Sequence, residues 1–149
     1  MTDSHHPKPA EHGGRDHRAA ARGLTPARKR ALDILTSANR PVGAYEMIDL
    51  LVDSKGKRPA PITVYRALGY LLDHGLAHRL ASQNAFIACG HAHKEGEPVI
   101  FLICEKCGEV AEATSSGLAR ELATLASAEG FRPRTRVIEI AGCCARCSD

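Results

Sequence analysis

Cys104 and Cys107 stand three residues apart in "FLICEKCGEV", and Cys144 and Cys147 repeat that interval in the closing "AGCCARCSD". Four thiolates in two such pairs form the tetrahedral donor set of a structural zinc ion. The two-residue gap lets a turn aim both sulfurs at one point. Gly108, directly after the first pair, permits the positive φ that such a turn often requires. The 36 residues between the pairs exceed a simple zinc ribbon, so a helix and a strand must return the second pair to the first. The competing chemistry is thiol–disulfide exchange, which draws a low thiol pKa from a helix N-terminus. Cys104 instead ends an apolar, strand-like run, and a second pair is one more than that reaction requires. Cys143 could replace Cys144 as a donor, but the spacing to Cys147 favours Cys144 and leaves Cys143 as a small apolar residue.

A second group of donors gathers where the two halves of the chain meet: His78, Cys89, His91, His93 and Glu112. Read singly, His78 is a surface residue, Cys89 a buried apolar thiol and Glu112 a solvated carboxylate. Together they supply N, S, N and O donors, a borderline-soft set that suits zinc better than magnesium or calcium. A metal held by both halves would favour one relative angle between them, in proportion to its difference in affinity for the open and closed forms.

The elements that must position these residues follow from periodicity. Thr25 and Pro26 are a good N-cap and first helical residue for "PARKRALDILTSA", whose Ala31, Leu32, Leu35 and Ala38 share one face. A second helix, "AYEMIDLLVDS", is expected to turn Met47, Leu50 and Leu51 inward. After the basic stretch "KGKRPAP", a third helix starts at Pro61 and stops at Gly75. Its Val64, Ala67, Leu68, Leu71 and Leu72 form one apolar face, with Arg66 pointing away and Tyr65 on the flank. "LAHRLA" and "NAFIAC", joined by Ser82 and Gln83, alternate as a hairpin does. Three helices followed by a hairpin make a winged helix-turn-helix, whose third helix enters the major groove. Beyond it, "PVIFLIC" and "GEVAEA" read as strands, "SGLARELATLASAEG" as a helix with Leu118, Leu122 and Leu125 on one face, and "TRVIEIAG" as a last strand.

Charge agrees with a nucleic-acid partner for the first half. Residues 1–80 carry 13 Lys/Arg against 8 Asp/Glu, a net +5, and residues 81–149 carry 7 against 9, a net −2. On that basis Arg28, Lys29, Lys57 and Arg58 are expected to neutralise phosphates. No run approaches the roughly eighteen apolar residues of a membrane span, and the N-terminus lacks a signal-peptide core. The expected location is therefore the cytoplasm, where thiols stay reduced. The polar start, with His5, His6, His12 and His17, reads as a disordered arm.

On "LTPARKRALDIL", "AYEMIDLL", "PITVYRALGYLLDHGLAHRL", "FIAC", "FLICEKCGEVAE" and the terminal "CCARC", the chain resembles the ferric uptake regulator superfamily and, within it, the zinc-uptake branch. The resemblance runs from about Leu24 to the C-terminus. It implies an α+β chain: an N-terminal winged helix-turn-helix DNA-binding domain followed by a small α/β dimerisation domain with a structural zinc. It also implies a homodimer on pseudo-palindromic operator DNA that represses zinc-uptake genes when zinc-loaded, and no enzymatic activity, small-molecule substrate or membrane partner. Carried over by position, the structural zinc falls to Cys104, Cys107, Cys144 and Cys147. The regulatory zinc falls to His78, Cys89, His93 and Glu112, with His91 as the alternative to His93, giving two Zn2+ per chain. Tyr45, Tyr65 and Arg66, with Thr63 beside them, take the family's DNA-contacting positions. The expected divisions are an arm at 1–20, the winged-helix domain at 21–89, a hinge at 90–98 and the α/β domain at 99–149. Ala60 stands where a capping Ser often starts the third helix, and Pro61 partly compensates. The competing readings are a sister regulator sensing iron, manganese or peroxide, a dithiol oxidoreductase, and a zinc ribbon that binds RNA or protein without sensing metal.

Overall fold

The structure is a computed structural model and describes residues 23–90, 96–134 and 136–148. The expected N-terminal arm, with its four histidines, and both His91 and His93 lie outside the described residues. Chain order is α1 (Pro26–Ala38), β1 (Val42–Gly43), α2 (Ala44–Leu50), α3 (Pro61–Asp73), β2 (Ala77–Leu80), β3 (Ala85–Ala88), β4 (Val99–Cys104), β5 (Val110–Ala113), α4 (Ser116–Ala128) and β6 (Val137–Gly142).

The first half is three helices against a small antiparallel sheet of order β1-β3-β2. Thr25 caps α1 by accepting from the Arg28 N–H, and Pro26 fills its first turn. Ala31 and Leu35 of α1 pack on Val64, Ala67, Leu68 and Leu71 of α3, all essentially inaccessible to water. Each buried leucine there contributes about 2 kcal/mol by leaving water. The α3 helix lacks a side-chain cap at Ala60, whose carbonyl instead accepts from the Thr63 and Val64 N–H groups. It ends at Asp73, and Gly75, at φ +66°, turns the chain into β2.

Two details differ from the pattern read in the sequence. The α2 helix stops at Leu50, and Ile48 is buried where Leu50 was expected inward; Leu50 is 47% exposed. At about 100° per residue, Ile48 and Leu51 fall to the same side of Met47, and Leu50 falls to the other. The hairpin also carries a third strand, β1, whose Val42 and Gly43 pair with Phe86 and Ala85. Its turn is a short 3-10 segment, Ala81–Gln83, closed by Asn84 at φ +47°.

The second half is a three-stranded sheet of order β5-β4-β6. Strand β4 runs antiparallel to β5 and parallel to β6, with α4 as the crossover a parallel pair needs. The halves meet in one apolar cluster, in which Leu80 of β2 packs with Val99, Phe101 and Ile103 of β4. The face of the sheet bearing Leu102 and Ile140 stays open to solvent, and α4 buries no residue. Ile138, at the same strand parity as Ile140, lines a groove with Leu125 and Phe131, which are 62% and 67% exposed and extend this apolar surface.

Candidate metal centres and nucleic-acid face

The parallel β4–β6 ladder explains how distant cysteines meet. Cys104 is paired with Gly142, so Cys144 begins its turn two residues past Cys104's own partner. The first knuckle is built by the Gly108 N–H donating to the Cys104 carbonyl, with Gly108 at φ +75°. The second is built by the Cys147 N–H donating to the Cys144 carbonyl. Two braces join them: Lys106 Nζ donates to the Cys147 carbonyl at 2.7 Å, and Arg146 pairs with Glu109 at 2.5 Å.

The four sulfurs all lie within 4.8 Å of one another, and Cys107 Sγ is 3.8 Å from Cys144 Sγ. A tetrahedron with Zn–S bonds of about 2.3 Å has sulfurs about 3.8 Å apart, so the donor set fits zinc. The backbone N–H groups of Cys144 and Cys107 hold the Cys104 thiol down at about 6, because they stabilise its thiolate. The neighbouring Cys144 and Cys107 side chains push the Cys147 thiol up to about 12. A cluster that discourages its own last ionisation is one that a cation relieves. Cys143 is exposed and stands outside the cluster.

The second group is assembled from both halves. The Cys89 N–H donates to the Leu76 carbonyl, extending the β2–β3 ladder, so His78 and Cys89 lie diagonally across it. Glu112 comes from β5 opposite Phe101, and the Phe101 ring lies 5.5 Å from the His78 ring. One donor atom from each of His78, Cys89 and Glu112 falls within 4.8 Å of the others. Glu112 Oε2 accepts from the Gly90 N–H at 3.0 Å, and a Cβ on Gly90 would stand only 3.3 Å from that oxygen. His78 Nε2 and Glu112 Oε1 are shut off from solvent. Imidazole, thiol and carboxylate donors at this separation fit a zinc ion.

On the winged half, Tyr45 is 81% and Tyr65 49% exposed, and the two line one groove with Arg79, Asn84 and Phe86. Thr63 and Arg66 are exposed on α3. Three of the four expected phosphate-binding cations already engage protein groups. Arg28 stands 3.9 Å above the Tyr70 ring, Lys29 pairs with Asp33 at 3.3 Å, and Arg58 pairs with Asp49 at 3.0 Å. The Lys57 backbone N–H donates to the Asp53 carboxylate. Exposed pairs of this kind contribute about 1 kcal/mol or less and can be exchanged for phosphate.

One contact had no counterpart in the sequence reading. Glu139 of β6 accepts from the Ala81 N–H at 2.6 Å and the Ser82 N–H at 3.2 Å, and it also binds the Ser82 hydroxyl. The available signal was an acid at the same strand parity as the apolar Val137 and Ala141.

The model of the ferric uptake regulator family matches residues 20–141. The zinc uptake regulation protein of Escherichia coli (strain K12) is 36% identical over 124 residues, covering 83% of this chain and 72% of that one. A solved zinc uptake regulator complexed with zinc and DNA is similar with a TM-score of 0.78 at 33% identity, over 87% of this chain and 88% of that one. The structure of holo XcZur has a TM-score of 0.74 at 39% identity, over 85% and 89% of the two chains.

Proposed function

The chain belongs to the ferric uptake regulator family, and from that membership we propose that it is a zinc-responsive repressor of zinc-uptake genes. On this reading it binds pseudo-palindromic operator DNA as a dimer in its zinc-loaded form. Members of this family are transcription regulators, not enzymes. The observation that carries the reading is the convergence of His78 and Cys89 from the winged half with Glu112 from the second sheet, all within 4.8 Å. A thiolate beside an imidazole and a carboxylate favours zinc over iron or manganese. His93 is the fourth donor in this reading, and His91 its alternative.

Zinc, when bound at that junction, supplies coordination bonds that can form only when the halves hold one angle. Taking a mostly open ensemble to a mostly closed one requires roughly a 10⁴-fold difference in affinity, about 5.5 kcal/mol. The Cys104, Cys107, Cys144 and Cys147 set is assigned to a second, structural zinc, giving two per chain. No helix among the described residues is long and apolar enough to cross a membrane, and a regulator of this kind works in the cytoplasm. The working divisions are an arm at 1–20, the DNA-binding domain at 21–89, a hinge at 90–98 and the dimerisation domain at 99–149.

At DNA, α3 lies in the major groove with Arg66 reaching a guanine edge bidentately. Tyr45, Thr63 and Tyr65 add base or phosphate contacts, while Arg28, Lys29, Lys57 and Arg58 neutralise phosphates. Two winged halves then address half-sites about 34 Å apart. The test is DNA binding by fluorescence anisotropy, using sites obtained by selection, at buffered free zinc, iron(II) and manganese(II). Tight binding that follows zinc alone is expected. Binding that follows iron or manganese, or is indifferent to metal, would sink the assignment.

A further inference from the structure

The central strand of the second sheet carries a row that reaches the winged half at two places. Phe101 is paired with Glu112 across β5 and with Glu139 across β6. Cross-strand partners point to one face. Phe101 is fully buried in the cluster it shares with Leu80 of β2. Both carboxylates accordingly project toward the winged half. Glu112 meets His78 and Cys89 there, and Glu139 holds the turn that follows β2 through Ala81 N–H, Ser82 N–H and Ser82 Oγ. His78 and Ala81 are three residues apart, so one short segment lies against both carboxylates that flank Phe101 in one sheet row, near Glu112 at His78 and hydrogen-bonded to Glu139 at Ala81 and Ser82.

We propose that Glu139 is a positioning residue that holds the β2 turn against the second sheet, presetting the angle at which His78 and Cys89 meet Glu112. The inference rests on reading His78, Cys89 and Glu112 as the regulatory zinc site. Among the described residues, Glu139 is held by amide and hydroxyl donors and not by a metal-ligating side chain, so the grip does not itself require metal. Its effect is on population: when only a fraction of molecules has the donors assembled, apparent metal affinity falls by that fraction. Losing a charge-assisted contact of this kind lowers the assembled fraction on the order of tenfold.

The experiment measures zinc affinity at the second site of the full-length dimer by chelator competition. It compares wild type, Glu139→Ala, Glu139→Gln, Ser82→Ala and the Glu139→Ala/Ser82→Ala double variant. Amide exchange at Ala81 and Ser82 is followed in dimers that keep only the tightly held zinc. Glu139→Ala should bind the second zinc about tenfold more weakly and exchange both amides faster, with structural zinc content and dimer state unchanged. Ser82→Ala should lose less, because the two backbone donors remain, and the double variant should be no worse than Glu139→Ala, since both remove one interaction. If Glu139→Ala does not fold, Glu139→Gln and Ser82→Ala decide the matter through the same affinity. An unchanged second-zinc affinity in the folded variants, or strictly additive losses, would overturn the positioning role while leaving the site assignment standing. A wild-type dimer that takes up no second zinc would overturn both.

Discussion

The Cys144 backbone N–H donates to Cys104 Sγ at 3.3 Å, across two turns that are 40 residues apart in the chain. That contact follows from the parallel register of β4 and β6, which sets Cys104 beside Gly142. The four-thiol cluster therefore ties the two ends of the second half together, and its loss should be felt through the whole sheet.

Cys104→Ser is expected to lose the tightly held zinc and, with it, the cooperative unfolding of the second half. A structural zinc contributes on the order of 10 kcal/mol to a small domain, more than this three-stranded sheet can replace. Zinc analysis and circular dichroism on the purified variant check this. Native-like melting without that zinc would show that the thiols are spectators.

Arg66 is exposed on α3, across the helix from the buried Val64, Ala67 and Leu68. Arg66→Ala should cost about 1–3 kcal/mol on operator DNA and little on random DNA, the signature of base reading. Equal losses on both sequences would reassign Arg66 to the phosphate backbone.

Leu102 is paired with Ile140 on the sheet face turned away from the winged half, and both are about half exposed, at 44% and 50%. With Leu125 and Phe131 they make an apolar surface of the kind that a partner subunit covers. Leu102→Asp should convert the dimer to a folded monomer in sedimentation velocity while keeping the structural zinc. A dimer that persists would place the subunit contact elsewhere.

Much of this arrangement was legible because particular residues leave strong local signals. The two C-x-x-C pairs and the apolar face of α3 follow from spacing, and the Thr25–Pro26 helix start follows from residue type. The α2 error shows the limit of such signals, because Met47, Ile48, Leu50 and Leu51 offer two overlapping apolar faces, and packing chose the one with Ile48. Strand β1 is two residues long, too short to carry a period. The Glu139–Ser82 contact spans 57 residues, and nothing local names its partner. The donors at 78, 89 and 112 were visible as residue types, but their convergence depends on how Leu80 docks on Phe101, a matter of tertiary packing.

The most direct test of the central claim is zinc per chain on untagged protein before and after a mild chelator, with dimer state followed in the same samples and Cys89→Ser run beside wild type. Two zinc falling to one with the dimer intact, and one throughout for Cys89→Ser, is the predicted result. A wild-type chain that holds a single zinc before and after, and gains none when zinc is restored, would contradict it.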